Sequence, residues 1–276
     1  MARFRTSDGL GLHFEDRGAG QPLLCLPGLT RNTRDFDFLA PHMASRRMIA
    51  MDYRGRGQSD FAEDFHSYNV MREAQDVVGL LDHLDLGAVT ILGTSRGGLI
   101  AMALAAAHPD RVSGVILNDV GPVVAADGIA RIMEYVGRPP AARSLDAAAE
   151  SMLAALGPQF PGVPADRWRA LAAAQFADTG EGLALRYDPR LRDALLAQAE
   201  AGPVPDLWPL FAALAGRPLG VLRGASSDIL SQDTLARMQD HNPALIAVTV
   251  PDRGHVPFLD EPESLALIHR ILKDTA

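Results

Sequence analysis

Gly93-Thr94-Ser95-Arg96-Gly97 decides how this chain is read. It stands between a strand-like apolar run at 89–92 and a helical pattern over 99–107. A sharp strand-to-helix turn needs glycine two residues either side of its apex, because side chains there collide with neighbouring backbone. The serine at the apex is then forced outward, with its oxygen exposed above the sheet edge. The helix N-terminus behind it favours developing negative charge. Ser95 is the candidate nucleophile.

Working outward, the same strand-then-helix rhythm recurs. Residues 3–17 read as a hairpin, with apolar residues alternating on either side of the turn Ser7-Asp8-Gly9. Short apolar runs at 22–26, 47–51, 112–117, 219–223 and 245–250 each end in turn residues, which suits strands buried on both faces. Over 69–84, Val70, Val77, Leu80, Leu81 and Leu84 fall at helical spacing, with Asn69 as N-cap and Gly87 soon after the end. Strands alternating with helices predict a mainly parallel sheet covered on both faces, with the first hairpin as its antiparallel edge.

One region departs from that rhythm. Between about 121 and 216 no strand-like run occurs, and alanine-rich helical segments are punctuated by Pro139-Pro140, Gly157-Pro158, Pro161 and Gly202-Pro203. That length is too great for a loop in a compact domain, so a helical insertion is expected. The chain divides into a core, 1–122 and 217–276, and an inserted helical cap, or lid, at 123–216.

Composition narrows the function classes. The 276 residues carry a formal net charge of −8, which argues against nucleic-acid or anionic-membrane partners. No run of 18 apolar residues is present. The start, Met1-Ala2-Arg3-Phe4-Arg5-Thr6, lacks the apolar stretch of a secretory signal, so a cytoplasmic protein is expected. Cys25 is the only cysteine, which excludes an intramolecular disulfide and any multi-cysteine metal site.

A serine hydroxyl is a poor nucleophile near neutral pH, so a base must accompany it. His255, in Asp252-Arg253-Gly254-His255 after the 245–250 strand, is the histidine with the right chain order and position. The acid that orients it is expected between serine and histidine in sequence. Asp228, in Arg223-Gly224-Ala225-Ser226-Ser227-Asp228, is preferred; Asp119 and Asp252 compete with it. For the oxyanion hole, backbone N–H donors are expected from Arg96 and from the loop Pro27-Gly28-Leu29-Thr30. Leu29 is preferred there and Thr30 is the alternative.

Taken in order, Pro27-Gly28-Leu29-Thr30-Arg31, Asp52-Tyr53-Arg54-Gly55-Arg56-Gly57-Gln58-Ser59, Gly93 to Gly98, Leu117-Asn118-Asp119-Val120-Gly121-Pro122 and Gly254-His255 resemble the α/β-hydrolase superfamily over nearly the whole chain. They look like its lid-bearing branch of small-molecule esterases, lactonases and carbon–carbon bond hydrolases. The resemblance implies a mostly parallel eight-stranded sheet with helices on both faces, a helical cap over the site and no cofactor or metal. Two positions depart from the common pattern: Pro27 replaces a frequent histidine, and Arg96 replaces methionine or leucine. Neither removes an expected oxyanion donor, the N–H groups of Leu29 and Arg96. Serine at 95 excludes the branches that use aspartate there.

The chemistry expected is acyl transfer through Ser95 on a small-molecule carboxylic ester. A lactone or carbon–carbon hydrolase with the same triad is the alternative, and a slow-turnover ligand receptor on this scaffold is a further one. Aromatic residues scattered through the insertion, Phe160, Trp168, Phe176, Tyr187, Trp208 and Phe211, are candidates for lid core or pocket wall. Tyr187 and Trp208 are taken as candidate substrate contacts, and Arg31 as a candidate partner for a substrate carboxylate. Arg54 and Arg56 are expected on a solvated loop. Oligomeric state is not legible in the sequence.

Overall fold

Each apolar run becomes a strand whose alternate residues enter two different cores, which is why its hydrophobicity is continuous rather than alternating. A computed structural model describes residues 2–202 and 205–275. The strands β1 (Ala2–Arg5), β2 (Gly11–Arg17), β3 (Pro22–Leu26), β4 (Arg47–Met51), β5 (Val89–Thr94) and β6 (Val112–Asn118) come first. They are joined in the sheet by β9 (Leu219–Gly224) and β10 (Ile246–Val250). The order is β1-β2-β4-β3-β5-β6-β9-β10, with β1, β2 and β4 paired antiparallel and the rest parallel. This is the mostly parallel eight-stranded sheet expected, with its antiparallel edge at the first hairpin.

Leu24, Leu26, Ile91, Val115, Leu117 and Val221 face one core. Helices α1 (Val70–His83) and α2 (Arg96–Ala107) cover it, with α8 (Gln232–His241) beside them. Leu23, Cys25, Leu92, Ile116 and Leu222 face the other, under α9 (Pro262–Asp274). At roughly 25 cal/mol per Å² of apolar area, two such interfaces hold the sheet between its helices. α1 starts where the sequence places it: the Asn69 side chain caps it by accepting the Arg72 N–H. α2 starts at Arg96, three residues earlier than the hydrophobic spacing alone predicts.

Between β6 and β9 lie α3 (Ala126–Tyr135), α4 (Leu145–Leu156), α5 (Ala165–Gln175), α6 (Leu191–Glu200) and α7 (Trp208–Ala212). Pro203, one of the breaker residues noted in the sequence, lies outside the described residues. The expectation of helices alone is corrected at one point. Strands β7 (Phe176–Asp178) and β8 (Leu183–Leu185) form a small antiparallel hairpin. Three residues are too few to show a period of two, and the turn between them relies on Gly180 at φ 81°. Near the end of the expected insertion, Phe211 and Leu214 pack into the main core.

Candidate active site

The turn after β5 is built as the two glycines require. A Cβ on Gly97 would stand 2.1 Å from the Leu26 carbonyl oxygen, and one on Gly93 would stand 2.5 Å from the Gly97 backbone. Real side chains do not fit at either place, so helix α2 approaches the sheet closely only with glycine there. Ser95 sits at the apex with φ 51° and ψ −113°, a conformation that non-glycine residues adopt at a cost of about 1–3 kcal/mol. The surrounding backbone holds it: the Ser95 N–H donates to the Asn118 carbonyl at 3.0 Å.

His255, in the loop after β10, reaches across to this serine. Its Nε2 lies 3.0 Å from Ser95 Oγ, and its Nδ1 lies 2.7 Å from Asp119 Oδ2. The expectation of Asp228 as His255's partner is corrected here. Asp119 directly follows β6, and its left-handed φ of 58° turns the carboxylate back over the sheet edge. That carboxylate is fully buried. Oδ1 accepts the Gly224 N–H at 2.9 Å, and Oδ2 also accepts the Ser227 hydroxyl at 2.6 Å. The Ser227 oxygen in turn accepts the N–H groups of Ile229 and Leu230, so the turn after β9 braces Asp119 through Ser227. Asp228 is diverted to Arg131 of α3, 2.8 Å away, and lines the cavity above the site. Asp252 is exposed and lies outside the cavity.

Arg96 follows Ser95 directly, and Gly28 and Leu29 line the same cavity as Ser95. The N–H of Arg96 is among the first four of helix α2, which have no intrahelical acceptor. The N–H of Leu29 has no acceptor among the described residues. The Arg96 side chain does not enter the cavity; it turns under α1 and meets Glu73 Oε2 at 2.5 Å. Arg54 and Arg56 correct the expectation of a solvated loop, since both side chains are wholly buried. Arg54 is held by Asp76 at 2.6 Å and by Asp8 at 3.0 Å. Arg56 pairs with Glu73 at 2.8 Å, and burial pulls its pKa down from the usual guanidinium range.

A cavity of about 680 Å³ opens over Ser95 and His255. Leu29 and Arg31 form part of its core side, and Arg131, Tyr135, Met152 and Phe176 come from the insertion. Arg31 lines this cavity. Its guanidinium meets only the partly buried Asp35, at 3.5 Å, and donates no side-chain hydrogen bond among the described residues. Burial raises the pKa of Asp35, with the Arg31 charge opposing that rise. The other two expected contacts do not line this space. Tyr187 is buried within the insertion, accepting the Gly137 N–H at 3.1 Å. Trp208 stacks on His241 at 4.3 Å between ring centroids and packs against the main core. Both rings are consumed in packing, as large aromatics in a helical segment usually are. Tyr135 and Phe176 line the wall instead. Among the described residues no group of three His, Cys, Asp or Glu side chains could hold a metal ion, and no helix is long and apolar enough to cross a membrane.

With this geometry the chain can be set beside known proteins. The family profile described as alpha/beta hydrolase fold matches residues 21–262. A 3-hydroxybutyrate-oligomer hydrolase of Cupriavidus necator is 36% identical over 256 residues, covering 89% of this chain and 86% of that protein. A 2-(acetamidomethylene)succinate hydrolase of Mesorhizobium japonicum is 29% identical, covering 91% and 87% respectively. The crystal structure of an alpha/beta hydrolase from Novosphingobium aromaticivorans superposes with a TM-score of 0.92 at 42% identity, covering 99% of this chain and 97% of that one.

Proposed function

The chain is a hydrolase and belongs to the α/β-hydrolase fold family; on that premise we propose that it cleaves a small carboxylic ester through an acyl-enzyme on Ser95. One observation carries the reading: His255 sits between Ser95 Oγ and the buried Asp119, at 3.0 and 2.7 Å, on the floor of a cavity. In this reading Asp119 accepts a hydrogen bond from the Nδ1–H, which keeps that proton on Nδ1 and leaves Nε2 as the base that takes the Ser95 proton. Serine attacks the ester carbonyl while the N–H groups of Leu29 and Arg96 receive the oxyanion. His255 returns the proton to the departing alcohol. Water activated by the same imidazole then releases the acid and restores Ser95.

The substrate proposed is an ester that also bears a free carboxylate, of the 3-hydroxybutyrate oligomer kind. Arg31 supports this choice, because a guanidinium with unused donors on a cavity wall is suited to a carboxylate. The two relatives, a 3-hydroxybutyrate-oligomer hydrolase and a 2-(acetamidomethylene)succinate hydrolase, agree with it. The insertion acts as the lid, supplying Arg131, Tyr135 and Phe176 to the cavity wall.

The test compares initial rates on the 3-hydroxybutyrate dimer and on p-nitrophenyl butyrate, with lactone and carbon–carbon substrates alongside. The proposal expects both esters to be cleaved, with the larger kcat/KM on the dimer. Turnover confined to a lactone or a carbon–carbon bond refutes it.

A further inference from the structure

Beneath the Ser95 turn lies a charged cluster that the triad does not use. Glu73, on the first turn of α1, is fully buried, and its two oxygens are divided between two arginines. Oε2 accepts from Arg96 Nε at 2.5 Å, and Oε1 lies 2.8 Å from Arg56 Nη1. Arg56 Nε donates to the Leu29 carbonyl at 3.0 Å. Tyr53, also buried, donates its hydroxyl proton to the Pro27 carbonyl at 3.2 Å. The guanidinium of Arg56 lies 5.7 Å from the ring centroid of Tyr53 and 5.4 Å from that of Tyr68.

The connectivity of these contacts is specific. The peptide that carries the Leu29 N–H lies between two carbonyls, Pro27 and Leu29, each of which is pinned. The second donor belongs to Arg96, whose side chain is held by the same carboxylate that holds Arg56. A buried carboxylate between guanidiniums is a weak device for stability, since well-packed apolar side chains of similar volume usually do as well. It is a better device for geometry: the Arg96–Glu73 contact is a charge-assisted hydrogen bond, which fixes distance and direction, while the second oxygen faces Arg56 as an ion pair.

We infer that Glu73 is a positioning residue for the oxyanion hole, coupling its two backbone donors through Arg56 and Arg96. The inference rests on the reading of Ser95 as nucleophile. Donor placement matters only once charge has developed on the carbonyl oxygen, so disturbing it lowers kcat and leaves ground-state binding alone.

Two variants test it. Glu73→Gln keeps the shape but removes the negative charge that both guanidiniums face. Arg96→Met leaves Arg56 and Glu73 as a matched buried pair and keeps the backbone donor, so it decides the matter if the first variant does not fold. For each, kcat and KM on p-nitrophenyl butyrate are measured beside the inhibition constant of butylboronic acid, which forms a tetrahedral adduct on a reactive serine. The expected result is a fall in kcat of about 10- to 100-fold, a matching weakening of the boronate and a KM within about threefold of wild type. The double variant is expected to lose no more than the worse single one. Folded variants with wild-type kcat and boronate affinity overturn the role of Glu73 while leaving the ester hydrolase standing, as does a loss that falls on KM alone. A wild type that neither cleaves an ester nor binds the boronate overturns the Ser95 reading and this inference with it.

Discussion

Replacing Asp119 and Asp228 separately by asparagine sets the two acidic candidates against each other. Asp119→Asn keeps the residue's shape and its left-handed backbone, which asparagine tolerates well. It also keeps an oxygen for the Gly224 N–H, now bonded at 2.9 Å. What it removes is the charge beside His255, whose Nδ1 lies 2.7 Å from Asp119 Oδ2. With the charge centres about 4 Å apart and an effective dielectric near 20, the attraction for the imidazolium formed during attack is worth about 4 kcal/mol. Loss of the correct imidazole tautomer adds to this, and a rate deficit of about 10⁴, or roughly 5.5 kcal/mol, is expected. Asp228→Asn removes only a pair with Arg131 at 2.8 Å, in which the arginine side chain is 48% exposed. Such pairs contribute about 0–1 kcal/mol, so a change within about fivefold is expected. The assay is kcat/KM on p-nitrophenyl butyrate at neutral pH, with melting curves to establish that both variants fold. An Asp228→Asn enzyme crippled a thousandfold beside a nearly intact Asp119→Asn enzyme would refute the assignment of the acid.

Arg31→Met is expected to lower kcat/KM on the 3-hydroxybutyrate dimer by about tenfold to a hundredfold, the loss of one charge-assisted contact, while p-nitrophenyl butyrate changes by less than about threefold. Equal losses on the two substrates would contradict a carboxylate contact there. Asp8→Asn addresses stability against pH. Burial pushes the Asp8 carboxyl up, but hydrogen bonds from Arg54 and Thr6 and the charges of Arg54 and Arg72 outweigh it and hold the pKa below the usual carboxylate range. A depressed folded-state pKa stabilises the native chain above the unfolded value and loses that contribution as pH falls through the folded one. The variant is therefore expected to melt below wild type at pH 7, with the gap closing in acid; a gap that is constant or widens would contradict the pairing.

The inner strands β3, β4, β5, β6 and β9 were legible because both faces of each are buried, so their apolar runs stand out from what flanks them. Gly93 and Gly97 were legible for a related reason, since close approach of helix and sheet leaves no room for a side chain. The choice between Asp119 and Asp228 was not, because each follows a strand end and spacing cannot say which carboxylate turns toward His255. The deciding fact is three-dimensional: the Ser227 hydroxyl braces Asp119, while Arg131 takes up Asp228. Arg54 and Arg56 escaped for the same reason, as a charged Gly-rich motif reads as solvated until its buried carboxylate partners are known. One trace of those partners was present. Glu73 and Asp76 lie on the same face of α1 as Val77, Leu80 and Leu81, and carboxylates on a buried face imply cations opposite. Tyr187 and Trp208 show the converse limit, because composition cannot separate an aromatic that packs from one that lines a cavity.

The most direct test of the central claim is to quench p-nitrophenyl butyrate turnover within milliseconds and find the acyl group by peptide mass spectrometry. A butyryl mass on the peptide containing Ser95, with hydrolysis abolished in Ser95→Ala, is the result expected. Undiminished turnover in Ser95→Ala, or a butyryl group on a different residue, would contradict it.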